Sequence, residues 1–346
     1  MRGYLVTAPG EHRLAELPEP VPGAGEVLVA PAAVGICGSD LEVRDGRRPA
    51  AYVRYPLVPG HEWAGHVAAV GPGVTGLEPG TPVIAEGVRA CGVCARCAEG
   101  RNNLCTGPYA ETGFTHQGAL AERVLVPAGQ VHVLPADRPI ASAALIEPAA
   151  CVATGLLEVG PPAAGSRLAV VGDGPLGLLA VSLLRLSNPA ELVLLGSRPE
   201  RTNRAHELGA TGTALRRELD DADRAELEGR FDLVVEATNS ASGAASAVGL
   251  ARRAGTVVLL GISGAGRPGL DPDAITLGHL RVQGVFAASR AAWRWLVELY
   301  GAGLFNPAEL ITHRFGLDRI EDAFAVLGDR TAGAVKVIIE PNGATG

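Results

Sequence analysis

Four cysteines, Cys91, Cys94, Cys97 and Cys105, fall at C-x2-C-x2-C-x7-C spacing. Thiolates spaced in this way can close a tetrahedral shell around one Zn²⁺ with no open position, which makes a structural site and not a catalytic one. An iron–sulfur run of the bacterial type would place its fourth cysteine three residues on and follow it with proline. Here the gap is seven and Thr106 follows. Free cysteine is often buried as a small hydrophobe but rarely clustered, so packing alone is a poor account of the run. The residues between the cysteines are chiefly Gly, Ala, Arg, Glu and Asn. Such a segment lacks apolar material and needs a metal to hold its shape.

A second motif, Gly172-Asp-Gly174-Pro175-Leu176-Gly177, follows the apolar run Leu168-Ala-Val-Val and opens an apolar helix. A lone GxGxxG is weak evidence, but between a strand and a helix it reads as a dinucleotide turn. Gly172 permits the tight turn, Gly174 lets the backbone approach a pyrophosphate, and Gly177 allows close helix–strand packing. The helix N-terminus offers free N–H groups to the phosphates. About twenty positions on, the next strand normally ends in an acid that binds the ribose 2′-hydroxyl. This chain has Gly196-Ser197-Arg198-Pro199 there. With a hydroxyl and a guanidinium in place of a carboxylate, a 2′-phosphate should be attracted, which points to NADP(H). Gly196→Asp is expected to move the preference towards NAD(H).

Set between Cys37 and Gly60-His61-Glu62 upstream and the glycine turn downstream, the cysteine run resembles that of the zinc-dependent medium-chain alcohol/polyol dehydrogenases. The likeness extends from Met1-Arg-Gly-Tyr to Lys336 and is carried by the order and spacing of several motifs. The loop Glu111-Thr-Gly-Phe-Thr-His-Gln-Gly and the stretch Pro59-Gly-His-Glu-Trp look like the sugar and cyclitol branch of the family. The resemblance implies that Cys37, His61 and Glu147 are ligands of a reactive zinc, with Glu62 a close carboxylate that ligates or yields to water and substrate. One thiolate, one imidazole and one or two carboxylates leave the exchangeable position that catalytic zinc requires. Ser39 takes the family's relay hydroxyl position. Glu42 stands where many relatives carry the outer relay histidine, and in sugar dehydrogenases of the family this position can also be Glu. The Gly-Ser-Arg-Pro run looks like that of NADP-dependent bacterial secondary-alcohol dehydrogenases, and the same alignment brings Arg216 to a further adenosine-phosphate position. Trp63, Phe114 and His116 are candidates to line the pocket. Family likeness also implies a homodimer through the strand Arg281–Phe286, or a tetramer built from it.

With 47% hydrophobic and 19% charged residues, the 346-residue chain can bury a large core. At ~150 residues per domain its length suggests two domains. The net charge of −7 counts against nucleic acid, and with it against a zinc-ribbon module. Six cysteines, five of them with metal assignments, do not make a disulfide framework. Thiolate ligation suits a cytoplasmic protein. Cys151 reads as a buried helix residue, and His66, like His12, His132, His206, His279 and His313, as structural or surface. No signal peptide or membrane-spanning run is expected. The rivals are a simple aliphatic alcohol or aldehyde reductase on the same fold and a non-enzymatic zinc and dinucleotide sensor. A zinc-free reductase of this fold is disfavoured by the ligand set.

The elements that must position these groups follow from texture. Through the first ~145 residues, short apolar runs broken by Pro and Gly predict a mainly β domain. Beyond Ala149, strand–helix alternation predicts a parallel, doubly wound sheet. Strands are expected at Arg167–Gly172, Glu191–Gly196, Phe231–Ala237, Thr256–Gly261 and Arg281–Phe286, and helices at Leu176–Arg185, Pro199–Leu208 and Ala241–Arg253. The expected fold is α/β: a GroES-like catalytic domain over 1–148, completed by 287–346, and a Rossmann domain over 149–286.

Overall fold

The computed structural model describes residues 1–263 and 269–343. The chain divides into two compact units, Met1–Glu147 with Ala288–Gly346, and Pro148–Ala287. Among the described residues no helix is long and apolar enough to cross a membrane.

The first unit is built on one long strand, Glu26–Ile36, whose Val27, Val29, Val34 and Ile36 are buried. Its sheet runs in the order Ile311–Gly316, Lys336–Glu340, Glu26–Ile36, Glu62–Val70, Pro82–Ala85 and Val131–Val133, and Val124–Pro127 also pairs with Glu26–Ile36. Pairing along this path is antiparallel except between the two C-terminal strands. Pro31 lies at a register shift in the long strand, where a missing N–H costs no ladder bond. The C-terminal segment therefore forms one side of the first sheet, and its Val337 and Ile339 join Trp63, Val67 and Leu120 in one core. A hairpin, Arg2–Ala8 with Glu11–Glu16, was not foreseen from the sequence.

The second unit carries six parallel strands in the order Gly212–Leu215, Glu191–Gly196, Arg167–Val171, Phe231–Glu236, Ala251–Leu259 and Arg281–Gly284. This is the doubly wound order whose reversal point, between the third and fourth of these strands, opens a ligand crevice at the strand carboxyl ends. Leu168 to Val171 are all buried, as strands covered on both faces require. The helix expected over Ala241–Arg253 stops at Leu250, and Ala251 already begins a strand. Ala254, at φ 58°, interrupts the pairing before Thr256 resumes it. The short strand Gly212–Leu215 and the helix Asp221–Leu227 were also unforeseen, because the first has only four residues and the second is short and polar. Arg281–Gly284 is the outermost strand, as expected, but ends two residues early.

Candidate active site

Cys37 follows the long strand directly and occupies the N-cap position of the helix Gly38–Arg44. Asp40, on the first turn of that helix and 0% exposed, accepts hydrogen bonds from the N–H of Cys37 (2.9 Å) and of Gly60 (3.2 Å). One carboxylate therefore ties together the two loops that carry Cys37 and His61. The same carboxylate faces His61 Nδ1 at 3.5 Å, leaving Nε2 directed at Cys37 Sγ, 3.4 Å away. A partner of this kind on the far nitrogen is what orients a metal-binding imidazole. Glu62 completes a group of three whose ligand atoms all lie within 4.8 Å of one another.

These donors fit a cation. Bonds of about 2.0–2.3 Å in a tetrahedral shell put sulfur and nitrogen about 3.6 Å apart, close to the separation found. Burial alone would raise the Asp40 carboxyl, but His61 and the Cys37 N–H outweigh it and hold Asp40 below the usual carboxylate range. Burial would likewise lower His61, yet the Cys37 thiolate and Asp40 hold it well above the ordinary imidazole value. A metal ion in the proton's place would meet the same demand for positive charge.

Glu147, in the first turn of the helix Ile146–Val159, lies outside the three-donor group. Burial, together with Glu62 and Glu111, pushes its carboxyl up to about 8 against the pull of His61 and Lys336. Ser39 Oγ is 2.7 Å from Cys37 Sγ and 3.5 Å from His61 Nε2. Glu42 lies three residues further along the same helix, a spacing that shares a helical face. Phe114 is buried and its ring lies 4.6 Å from that of His61, with the Arg48 guanidinium 3.7 Å from the Phe114 centroid. His116 is held by Thr115 Oγ1 at 3.2 Å, and Trp63 belongs to the hydrophobic core.

Two groups near the donors escaped the sequence reading. Glu111 is a buried carboxylate bonded by the Tyr109 hydroxyl, and burial raises its carboxyl above the ordinary value. Lys336, the only lysine of the chain and 2% exposed, ion-pairs with Glu62, itself 3% exposed. Strand register brings them together, since Gly35 pairs with Glu62 on one side and with Ile338 on the other. A Cβ on Gly35 would stand 2.7 Å from Lys336 Cε, so glycine leaves the space in which the pair forms.

In the cysteine run, Cys94 and Cys97 sulfurs are 3.4 Å apart and those of Cys91 and Cys97 3.9 Å. Four thiolates on zinc at about 2.3 Å stand about 3.8 Å from one another. All four ligand atoms fall within 4.8 Å, and no residue from Cys91 to Arg101 is buried. Val93 is 87% exposed. Backbone N–H groups pull Cys94 down to about 5, while desolvation and its bond with Cys94 push Cys97 up to about 12. A dication would remove that conflict.

The glycine turn is shaped for a close ligand. Gly172 has φ 118°, and a Cβ on it would meet Ala237 O at 2.8 Å, whereas a Cβ on Gly174 would meet nothing within 4 Å. Gly177 packs onto the carbonyl of Gly172 with no room for a side chain. Pro175 and Leu176 form the first turn of the helix Pro175–Leu184. Ser197 is exposed and Arg198 half-exposed at the start of the helix Pro199–Glu207. The Arg216 N–H donates to Gly196 O (3.0 Å), but its guanidinium is turned to Ser242 O (3.3 Å) and Ser246 Oγ (3.1 Å). The acid that the sequence lacks at position 196 has a counterpart in space. The carboxylate of Asp173 accepts the N–H groups of Ser197 and Arg198, both at 2.7 Å.

Of the outlying histidines, His12 lies 3.0 Å from Glu321, and His132 is held by Glu86 (3.2 Å), His206 by Ala210 O (3.1 Å) and Thr213 (3.0 Å), and His313 by Thr312 (3.0 Å). Cys151 is half-buried in the helix Ile146–Val159.

Residues 23–136 match the family described as alcohol dehydrogenase GroES-like domain, and residues 175–302 that described as zinc-binding dehydrogenase. An L-threonine 3-dehydrogenase of Saccharopolyspora erythraea is 31% identical over 98% of this chain and 99% of its own. A sorbitol dehydrogenase of Bacillus subtilis is 29% identical over 99% of this chain and 98% of its own. Among solved structures, a zinc-binding dehydrogenase from Sinorhizobium meliloti bound to NADP superposes with a TM-score of 0.91. It is 30% identical, and the match covers 98% of this chain and 99% of that one.

Proposed function

The chain belongs to the zinc-dependent medium-chain alcohol/polyol dehydrogenases, and from that premise we propose that it interconverts a secondary alcohol and a ketone on a small polyhydroxylated compound with NADP(H). The convergence of Cys37 Sγ, His61 Nε2 and the Glu62 carboxylate, with Asp40 fixing the imidazole from behind, carries this reading.

When bound, zinc supplies a Lewis acid that polarises a carbonyl or acidifies an alcohol, and the nicotinamide supplies or takes up the hydride. Cys37, His61 and Glu147 would hold the reactive metal, with Glu62 exchanging at the fourth position. Cys91, Cys94, Cys97 and Cys105 would hold a second, structural ion, giving two per chain. Ser39 Oγ would accept the proton of the substrate hydroxyl and hand it to Glu42 one helical turn away, or return it in the reductive direction. A glutamate at 42 can also accept hydrogen bonds from neighbouring substrate hydroxyls, and the likeness to a sorbitol dehydrogenase supports a polyol-like substrate. Ser197 and Arg198 would bind the 2′-phosphate, with the Arg216 backbone beside them and Gly172, Gly174 and Gly177 at the pyrophosphate. The edge strand Arg281–Gly284 would join two copies into a homodimer, or a tetramer built from such pairs. Thiolate ligands suit the reducing cytoplasm.

A panel of polyols, cyclitols and their ketones, followed by NADPH absorbance with zinc-loaded protein, tests the reading. Turnover confined to polyhydroxylated substrates is the expected result. Activity on simple aliphatic alcohols with none on polyols would favour the aliphatic reductase instead.

A further inference from the structure

We propose that Asp173, in the glycine turn, supplies the carboxylate that reads the ribose 2′ position, in place of the acid missing at the end of the second nucleotide strand. This rests on reading Gly172–Gly177 as the dinucleotide turn.

Three observations place the group. Asp173 is 7% exposed, so its carboxylate is fixed and not a loose surface charge. Its Oδ2 accepts the Ser197 and Arg198 N–H groups at 2.7 Å each, and the Ser197 hydroxyl reaches Oδ1 at 3.2 Å and Oδ2 at 3.3 Å. A Cβ built on Gly196 would lie 3.0 Å from Asp173 Oδ2 and 3.1 Å from Asp173 Cβ. The turn aspartate thus fills the space into which a side chain at 196 would project. It also corrects the expectation for Gly196→Asp, because that side chain would meet Asp173 and come 2.5 Å from Thr202 Cγ2.

A carboxylate offers about four lone-pair positions. Oδ2 accepts two backbone N–H groups and faces the Ser197 hydroxyl at 3.3 Å, while among the described residues Oδ1 receives only that hydroxyl, at 3.2 Å, and keeps acceptor capacity for a ribose hydroxyl. A phosphate in the hydroxyl's place would bring a dianion against this anion and compete for the same Ser197 and Arg198 donors. Arg198 pulls the other way, since its guanidinium makes no hydrogen bond or ion pair with any described residue and is free to meet a phosphate. Two residues twenty-five positions apart therefore oppose each other at one atom of the cofactor, and Asp173 holds the preference for NADP(H) below what Arg198 alone would give.

Asp173→Asn isolates the charge. The amide oxygen can keep both backbone N–H bonds, and the new NH₂ can donate to the Ser197 hydroxyl, which turns from donor to acceptor. Dissociation constants for NADPH and NADH, from the change in dihydronicotinamide fluorescence, need no substrate and no turnover. Removing a like charge a few ångströms from the phosphate should raise the NADPH-over-NADH affinity ratio by roughly tenfold. Arg198→Ala should lower the same ratio. In the unmodified protein, ADP should displace NADH at least about fivefold better than 2′-deoxy-ADP, because only ADP offers the hydroxyl that Asp173 accepts. This second measurement stands even if Asp173→Asn fails to fold. An unchanged ratio in folded Asp173→Asn, or equal competition by ADP and 2′-deoxy-ADP, overturns the assignment. An unaltered ratio in Arg198→Ala alone would instead remove the 2′-phosphate reading, and failure of every nucleotide to bind would remove the dinucleotide site and the Asp173 assignment with it.

Discussion

Lys336→Met tests whether the Glu62 charge is held by the single lysine of the chain. Lys336 and Glu62 are 2% and 3% exposed and pair directly, so removing the ammonium leaves a carboxylate in a dry site. Breaking a buried pair in this way costs about 3–5 kcal/mol, since the surviving charge has lost its solvent and its partner together. At about 2–4 °C per kcal/mol for a unit of this size, melting of the β-rich unit should fall by roughly 6–20 °C. Scanning calorimetry on chelator-dialysed protein would read the shift. Glu62→Gln combined with Lys336→Met removes both charges and should recover most of the loss. The cysteine loop lacks its metal in every member of the cycle, so that contribution cancels. Added zinc gives Glu62 a second cation and should narrow the gap between Lys336→Met and the parent. A dialysed Lys336→Met protein melting within about 2 °C of its parent would refute the argument, as would a double variant no more stable than the single one.

Elemental analysis should find two zinc ions per chain. Cys94→Ser or Cys97→Ser should lose one and melt at a lower temperature than the zinc-loaded parent, because structural zinc contributes folding free energy. Cys37→Ser or His61→Ala should also lose one but remain folded, bind NADPH and show no turnover; a parent protein holding one zinc or none would count heavily against both sites. Arg198→Ala should weaken NADPH binding by roughly 10- to 150-fold, the worth of about 1.5–3 kcal/mol for a hydrogen bond to a charged group, and leave NADH nearly unchanged. Comparable affinity of the two cofactors for that variant and its parent would be the contrary result. Sedimentation at micromolar concentration should show a dimer or a larger even assembly, and a monomer there would leave the Arg281–Gly284 edge without its proposed partner strand.

Features carried by local spacing were legible in the sequence. The four cysteines are confined to fifteen positions and the nucleotide turn to six, so the chain itself delivers their atoms to one place. Strands buried on both faces, such as Arg167–Val171, declare themselves as unbroken apolar runs. Elements whose residues carry no periodic signal did not. Gly212–Leu215 forms because Glu191–Gly196 offers it a parallel ladder, and its own sequence shows little preference for a strand. The end of the helix at Leu250 is set by the pairing of Ala251 with Phe231, a tertiary contact that overrides the good helix formers at 251–254.

The charges that tune the site were hidden for a related reason. Lys336 is far from Glu62 in sequence and reaches it only because the last strand lies against Glu26–Ile36, which in turn lies against the strand that Glu62 begins. Asp173 is twenty-five residues from Arg198 and meets it because the turn after one parallel strand stands beside the end of the next. In both cases a glycine, Gly35 or Gly196, gives up the volume into which the distant side chain moves. A motif read along the chain sees those glycines as missing groups. In space they mark where a charge from another element has taken the seat. The acid absent at position 196 therefore does not leave this corner of the turn without a carboxylate, and on the proposal made above the balance between Asp173 and Arg198, with neither residue deciding alone, would set how strongly the two cofactors are separated.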